Sequence, residues 1–199
     1  MNFLAHAWLA ADRPARRVGG IAGDFVKGPL PAGLPPDLAA GVGLHRAIDS
    51  FSERHPAFVA SRARVGASRR RYAGVLVDMF YDHLLAIHWA RFSGQTLVAF
   101  SADTYRMTEA RLPDLPAGFG EVFERMRSGD WLSAYREPQA LADALARMSR
   151  HRIRRANPLA DGFDEFQAAS AGFETDFLQF MPDALAFARQ WQPPGGRRA

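Results

Sequence analysis

Two aspartates lie inside an otherwise apolar segment, residues 75–89, which reads VLVDMFYDHLLAIHW. Asp78 and Asp82 are four residues apart, so a helix would carry both carboxylates on one face, with His83 on its flank. Each ionised carboxylate needs a partner, because an unpaired charge in an apolar setting costs several kcal/mol. Buried arginines or partial exposure to water would each satisfy the pair. A metal ion is the partner that the pattern favours.

A second pair with the same spacing lies in GLHRAID, where His45 and Asp49 are four residues apart. Histidine is the commonest protein metal ligand, and a carboxylate one turn away can bind the same ion or orient the ring. Such a pair taken alone is typical of a local hydrogen bond. It indicates a metal site only when other ligands lie nearby.

Two further residues extend this set of candidate ligands. His6 lies on a short apolar helix, where a lone histidine is typical of the core, and Asp24 lies in a glycine-lined turn. Glycines there let an ion or a substrate approach the backbone closely. The chain has no cysteine, which excludes thiolate ligands and cysteine nucleophiles. Histidines and aspartates from several helices therefore predict a divalent cation held by nitrogen and oxygen ligands.

Helical patterns extend over almost the whole chain, and alternating strand patterns are missing. We predict an all-α single domain of seven or eight helices over residues 1–192, followed by a disordered tail at 193–199. The glycine-rich residues 18–28 resemble a loop with one helical turn. Helices are predicted at residues 3–11, with Asn2 as the N-cap, and at 36–52, 56–65, 70–92, 95–111, 117–128, 137–152 and 162–191.

The formal net charge is +4, which suits an acidic partner such as a nucleic acid, an anionic lipid surface or an acidic protein. The apolar start MNFLAHAWLAA has no preceding basic residue and is not expected to act as a signal peptide. No uncharged stretch approaches the length of a membrane span. We therefore expect a cytoplasmic protein without a membrane partner.

Four motifs together resemble the acyl carrier protein phosphodiesterase family in order and spacing. They are MNFLAH at 1–6, GDFVKG at 23–28, GLHRAID at 43–49 and DMFYDHLLAIHW at 78–89. The resemblance implies hydrolysis of the phosphodiester that joins 4′-phosphopantetheine to a serine of acyl carrier protein. It also implies a need for Mn²⁺ or Mg²⁺ and an HD-domain-like helical bundle. The HD dyad is histidine followed by aspartate, whereas Asp82 precedes His83 here.

On this basis we predict the roles of the candidate residues. The metal would polarise the phosphodiester and supply a hydroxide, while His83 or His6 would transfer a proton or hold the attacking water. Asp49 would orient His45 or an adjacent arginine. The predicted metal ligands are Asp24, His45, Asp78 and Asp82, with Asp24 also able to act through a bound water.

Acyl carrier proteins are acidic, so we expect arginines to bind the protein substrate or its phosphate. A dense basic run comprises Arg62, Arg64, Arg69, Arg70 and Arg71, and Arg46 adjoins His45. Of these arginines, Arg46, Arg69, Arg70 and Arg71 are the predicted binding residues. The run could equally be a solubilising surface. Two other functions stay open: an HD-type nucleotide phosphohydrolase, and a non-catalytic arginine-rich module for acidic partners. No RRM, KH or helix-turn-helix motif is present, so nucleic acid is not expected; the oligomeric state is open.

Overall fold

Helices form the regular structure of the chain, which a computed structural model describes over residues 1–10, 13–151 and 157–194. Those residues contain three short 3-10 turns (Gly23–Phe25, Ala67–Tyr72 and Leu112–Asp114) and no β-strand. The eleven α-helices are α1 (Phe3–Leu9), α2 (Pro14–Ala22), α3 (Pro36–Ser52), α4 (Pro56–Arg64), α5 (Ala73–Ile87), α6 (Trp89–Phe92), α7 (Leu97–Glu109), α8 (Ala117–Ser128), α9 (Trp131–Ala134), α10 (Pro138–His151) and α11 (Phe163–Gln190). The prediction of an all-α single domain is confirmed, with more helices than expected.

Helix α2 occupies much of the segment that was predicted to be a loop, and that prediction was wrong. Pro14 stands at its first position, where proline is well tolerated. The glycines serve close packing instead of a turn: a Cβ added to Gly19 would lie 2.7 Å from the Cα of Gly41 in α3. Small residues therefore let α2 and α3 approach each other closely.

The predicted helix over residues 70–92 is divided into three parts. A 3-10 turn precedes α5, and α5 ends at Ile87; the next residue, His88, caps it by donating its backbone N–H to the carbonyl of Leu84. The short helix α6 then begins at Trp89. Helix α9 is also additional to the prediction. The predicted tail at 193–199 falls mainly on residues 195–199, which lie outside the described residues.

Helix α5 is the centre of the core and contacts α1, α4, α10 and α11. Its residues Phe80 and Tyr81 are fully buried and pack edge-on against Phe173 and Phe177 of α11. Burying each such aromatic side chain contributes roughly 1.5–3 kcal/mol. This packing fixes α5 beside α1, so that both helices present side chains to the site described below.

The described helices include none that is both long and apolar enough to cross a membrane. The HD-domain-like character of the bundle stays a prediction.

Candidate functional site

Three residues that could bind a metal converge where α1 and α3 meet. A ring nitrogen of His6, a ring nitrogen of His45 and a carboxylate oxygen of Asp49 all lie within 4.8 Å of one another. The two imidazoles are buried and stack with their centroids 3.8 Å apart. We call these three residues the histidine–aspartate cluster. A nitrogen–nitrogen–oxygen donor set of this size suits one divalent cation.

His45 is held in one orientation by the backbone of α2. Its Nδ1 donates to the carbonyl oxygen of Gly20 at 2.8 Å, which leaves Nε2 facing two carboxylates. Nε2 lies 3.3 Å from Asp49 and 3.5 Å from Asp24. A hydrogen bond from one ring nitrogen to a backbone carbonyl is a common way in which a protein fixes the tautomer of a metal-binding histidine.

His6 approaches the same carboxylate from α1. Its Nε2 lies 3.1 Å from Asp49 Oδ1 and 3.1 Å from the carbonyl oxygen of Met1. Its Nδ1 is buried and has no hydrogen-bond partner among the described residues. Buried polar atoms are normally satisfied, so an unpartnered nitrogen in this cluster is a place where a bound cation or water would fit.

The electrostatic environment differs sharply between the two histidines. Burial and the neighbouring His45 lower the pKa of His6 to about 3, so this ring is neutral at pH 7. Burial also acts to lower the pKa of His45, but hydrogen bonds with Asp24 and Asp49 outweigh it and raise that pKa to about 9. Although burial opposes ionisation of Asp49, hydrogen bonds with both histidines hold its pKa well below the usual range. The cluster is therefore built to stabilise positive charge.

Asp78 lies beside the cluster. Its Oδ1 accepts a hydrogen bond at 2.7 Å from the amino group of Met1, and the same nitrogen lies 3.2 Å from Asp49. A buried cationic group thus bridges two carboxylates from α3 and α5. Asp78 is partly exposed and reaches the pocket next to the cluster.

Asp82 has a different set of contacts from Asp78. Its two oxygens accept backbone N–H groups of Leu4 and Ala5 at 2.7 and 3.0 Å. These are first-turn amides of α1, and the side chain of the preceding Asn2 bonds to Tyr135 instead of capping the helix. Burial outweighs these bonds and raises the pKa of Asp82 to about 7. Asp82, in α5, thus caps the N-terminus of α1. This role accounts for a buried carboxylate at this position without a metal ion.

His83 also makes contacts that are typical of packing. Its Nδ1 donates to the carbonyl oxygen of Tyr135 at 2.6 Å, and its ring packs edge-on against Phe166. Burial lowers its pKa. These contacts join α5 to the segment after α9 and to α11.

A pocket of about 500 Å³ opens beside the histidine–aspartate cluster. Asp24, Asp49 and Asp78 contribute carboxylates to its wall. Its cationic lining residues are Lys27, Arg62 and Arg71, which come from three separate parts of the chain. Glu53 also lines this pocket, so carboxylates and cationic side chains share its wall, and the pocket can bind both a metal ion and an anion.

The four arginines predicted to bind the substrate have different positions. Arg71 lines the pocket, and Arg70 is exposed outside its lining. Arg69 is instead paired with Glu165 at 3.0 Å and donates to the carbonyl of Pro158. Arg46 donates to the carbonyls of residues 26 and 28, which holds the loop that follows Asp24.

The sequence model of the family described as acyl carrier protein phosphodiesterase matches residues 1–184. The chain belongs to this family. A protein named acyl carrier protein phosphodiesterase from Escherichia coli O157:H7 (strain EC4115 / EHEC) is 33% identical over 189 residues, 94% of this chain and 97% of the relative. A protein of the same name from Shigella boydii serotype 18 is 32% identical with the same coverage. No solved structure matches the chain.

As a member of the acyl carrier protein phosphodiesterase family, the chain brings its four motifs to one place. Each of the four contributes at least one side chain to the cluster, to the pocket or to both. The residues concerned are His6, Asp24, Lys27, His45, Asp49 and Asp78. The segments that carry the family resemblance therefore lie together around the cluster and the pocket.

The sequence predictions left out one cationic side chain and one backbone group that belong to this candidate site. Lys27, the only lysine of the chain, follows Asp24 in GDFVKG and could have been found from that position. Arg62 belongs to the basic run noted in the sequence, but only the packing of α4 brings it to the pocket. The carbonyl of Gly20 is also invisible in a sequence pattern, since any residue supplies one.

Proposed function

We propose that this chain hydrolyses the phosphodiester between 4′-phosphopantetheine and a serine of acyl carrier protein, releasing apo acyl carrier protein and 4′-phosphopantetheine. The observation that carries the proposal is the convergence of His6, His45 and Asp49 beside a pocket whose wall includes three cationic side chains. Family membership supplies the substrate class. A cytoplasmic location is part of the same proposal.

The proposed cofactor is a divalent cation, Mn²⁺ in the first place and Mg²⁺ as the alternative. The residues fit such an ion, because the cluster offers two imidazoles and a carboxylate, and Nδ1 of one of those imidazoles, His6, is buried without a partner among the described residues. Two imidazoles beside carboxylates favour Mn²⁺ over Mg²⁺. The proposed ligands are His6, His45 and Asp49, with Asp24 and Asp78 able to contribute directly or through water. Asp82 is left out, since helix α1 occupies both of its oxygens.

When bound, such a cation lowers the pKa of a coordinated water and neutralises charge on phosphoryl oxygens. The protein's own contribution is positional. The Gly20 carbonyl keeps Nε2 of His45 directed at the carboxylates, and Asp49 fixes both rings through its two oxygens. Asp24 lies at the pocket wall, where its carboxylate can orient an attacking water. His6 fits a ligand better than a proton donor, because its lowered pKa keeps it neutral.

The protein substrate would approach over the cationic side of the pocket. Lys27, Arg62 and Arg71 line it, and an acidic partner would be attracted to this charge. Arg70 directly precedes Arg71 in the chain but lies outside the pocket lining, so it is proposed to contribute little to this attraction. Arg69 and Arg46 serve the fold through internal contacts.

The test is incubation of purified protein with holo acyl carrier protein and Mn²⁺, followed by intact mass measurement of the carrier. We expect loss of the 4′-phosphopantetheine group, dependent on metal and abolished by EDTA. A His45→Gln variant that retains its circular dichroism spectrum should be inactive and should bind Mn²⁺ weakly. Unchanged holo carrier protein, or a His45→Gln variant with full activity, would contradict the proposal. A parallel panel of nucleotides tests the HD-type nucleotide phosphohydrolase.

A further inference from the structure

A second pocket, of about 330 Å³, adjoins the first and has a mainly apolar wall. This volume is within the usual range for sites that bind small molecules. Asn2, Met79 and Met148 line both pockets, so the two share a wall. The main apolar side chains of the second pocket are Phe3, Phe25, Trp131, Ala134, Ala140 and Ala144.

We propose that this second pocket binds the pantetheine arm of the substrate, an inference that rests on the proposed function. A phosphodiester between pantetheine and a protein serine has one thin substituent and one bulky one. The folded carrier protein must stay outside any pocket of this size. The arm is the only part of such a substrate that can extend from the cluster into an adjoining pocket.

The chemistry of the pocket matches that of the arm. Two methyl groups on one carbon follow the phosphate in pantetheine, and the apolar wall begins at the boundary with the first pocket, at Met79 and Met148. Methionine side chains adapt well to such branched groups. The hydroxyl and amides of the arm need polar partners, and Asn2 and Tyr135 supply an amide and a phenol that already contact each other.

Binding of the arm away from the reacting phosphorus would help to position the phosphodiester at the cluster. It would also explain why a pocket with charged side chains adjoins a mainly apolar one, since the reaction needs charge only at the phosphate. A serine phosphodiester without the arm should therefore be a poor substrate.

The inference is tested by narrowing the pocket from α10. Ala144→Phe places a ring where the arm would lie, whereas Ala146→Phe, on the same helix, lines neither pocket and serves as the matched control. We expect Ala144→Phe to raise the dissociation constant of 4′-phosphopantetheine and the KM for holo carrier protein each about tenfold. Binding of inorganic phosphate and of Mn²⁺ should not change. Binding is followed by the quenching of Trp131 fluorescence. The Trp131→Phe variant shows which part of the total tryptophan signal comes from Trp131.

Two results would overturn the inference. One is unchanged binding of 4′-phosphopantetheine in Ala144→Phe, and the other is a loss of equal size in Ala146→Phe. If Ala144→Phe does not fold, Ala140→Leu narrows the same pocket by a smaller volume. Absence of hydrolysis by the unmodified protein would reject the proposed function, whereas the fluorescence titration with pantetheine alone would still decide whether the pocket takes the arm.

Discussion

The imidazole rings of His6 and His45 stack at 3.8 Å between centroids, with an angle of 21° between their planes. Two protonated rings at this distance would repel each other. Burial and this repulsion lower the pKa of His6, whereas hydrogen bonds with Asp24 and Asp49 raise the pKa of His45 despite its burial. The protein tolerates the arrangement because Asp49 contacts both rings. A pair of stacked histidines bridged by one carboxylate is costly as packing alone, but it suits ligands that are held ready for a cation.

The absence of a side chain at Gly23 is expected to be essential for the cluster. A Cβ added there would lie 2.4 Å from Cγ of His45 and 2.6 Å from its Nδ1, so Gly23→Ala must displace the ring. Since misplacing a catalytic group by about 1 Å can cost on the order of 100-fold in rate, we expect a loss of this size in kcat. Steady-state assays with holo carrier protein and Mn²⁺ measure it.

The matched control for Gly23→Ala is Gly120→Ala in α8, where an added Cβ meets no atom within 4 Å. Alanine in a helix interior is favoured over glycine by about 0.5–1 kcal/mol, so this variant should be slightly more stable and fully active. Equal activity of the two variants would contradict the role given to Gly23.

The raised pKa of His45 predicts a pH dependence of stability in the metal-free protein. A histidine in an unfolded chain titrates near 6.5, whereas the native His45 titrates at about 9. The native state therefore binds the proton more tightly, and this stabilisation is complete below about pH 6.5 and lost as the pH rises through 9. Asp24 and Asp49 are partly exposed, so water screens their attraction to the protonated ring. We therefore expect His45 protonation to contribute about 1–2 kcal/mol to the free energy of unfolding.

The measurement is urea unfolding in EDTA at pH 6.5, 7.5 and 9. His45→Gln is the control, since glutamine can still donate to the carbonyl of Gly20 but does not titrate. The unmodified protein should lose stability over this range relative to His45→Gln. Parallel pH profiles for the two proteins would show that some other group carries the effect.

The parts of the site that follow from spacing along one helix could be predicted from the sequence. His45 and Asp49 are one turn apart on α3, and the structure places their side chains within 3.3 Å. The contact between His6 and His45 could not be predicted, because it depends on how α1 packs against α3. The same limit explains α2: glycines that allow close helix packing and glycines that break helices look alike in one sequence.

Asp82 is the residue for which sequence reasoning and structure give different roles. Asp82→Ala would leave the buried N–H groups of Leu4 and Ala5 without their acceptor, at a cost of about 2–4 kcal/mol in the free energy of unfolding. Mn²⁺ affinity of the folded variant should change little. A tenfold or larger loss of Mn²⁺ affinity with little loss of stability would instead support Asp82 as a ligand.

Asp78→Ala provides the comparison for Asp82→Ala, because it removes the neighbouring carboxylate on the same helix at the pocket wall. We expect it to weaken Mn²⁺ binding and turnover more than it affects unfolding. Calorimetric titration with Mn²⁺ and urea unfolding of both variants separate the two roles. If both variants lose the same stability and the same affinity, the distinction between the two aspartates is wrong.

The cationic lining of the pocket predicts a salt-dependent KM for the acidic protein substrate. Reversing charge in the double variant Arg62→Glu, Arg71→Glu should raise KM about tenfold at low salt, because electrostatic attraction mainly accelerates association. At 0.5 M salt the Debye length is only about 4–5 Å, so most of the difference should disappear.

Arg70→Glu is the control, since this exposed side chain does not line the pocket. Arg69→Glu should lower stability instead, through loss of the contact with Glu165. If Arg70→Glu raises KM as much as the double variant, attraction comes from the general basic surface and not from the pocket lining.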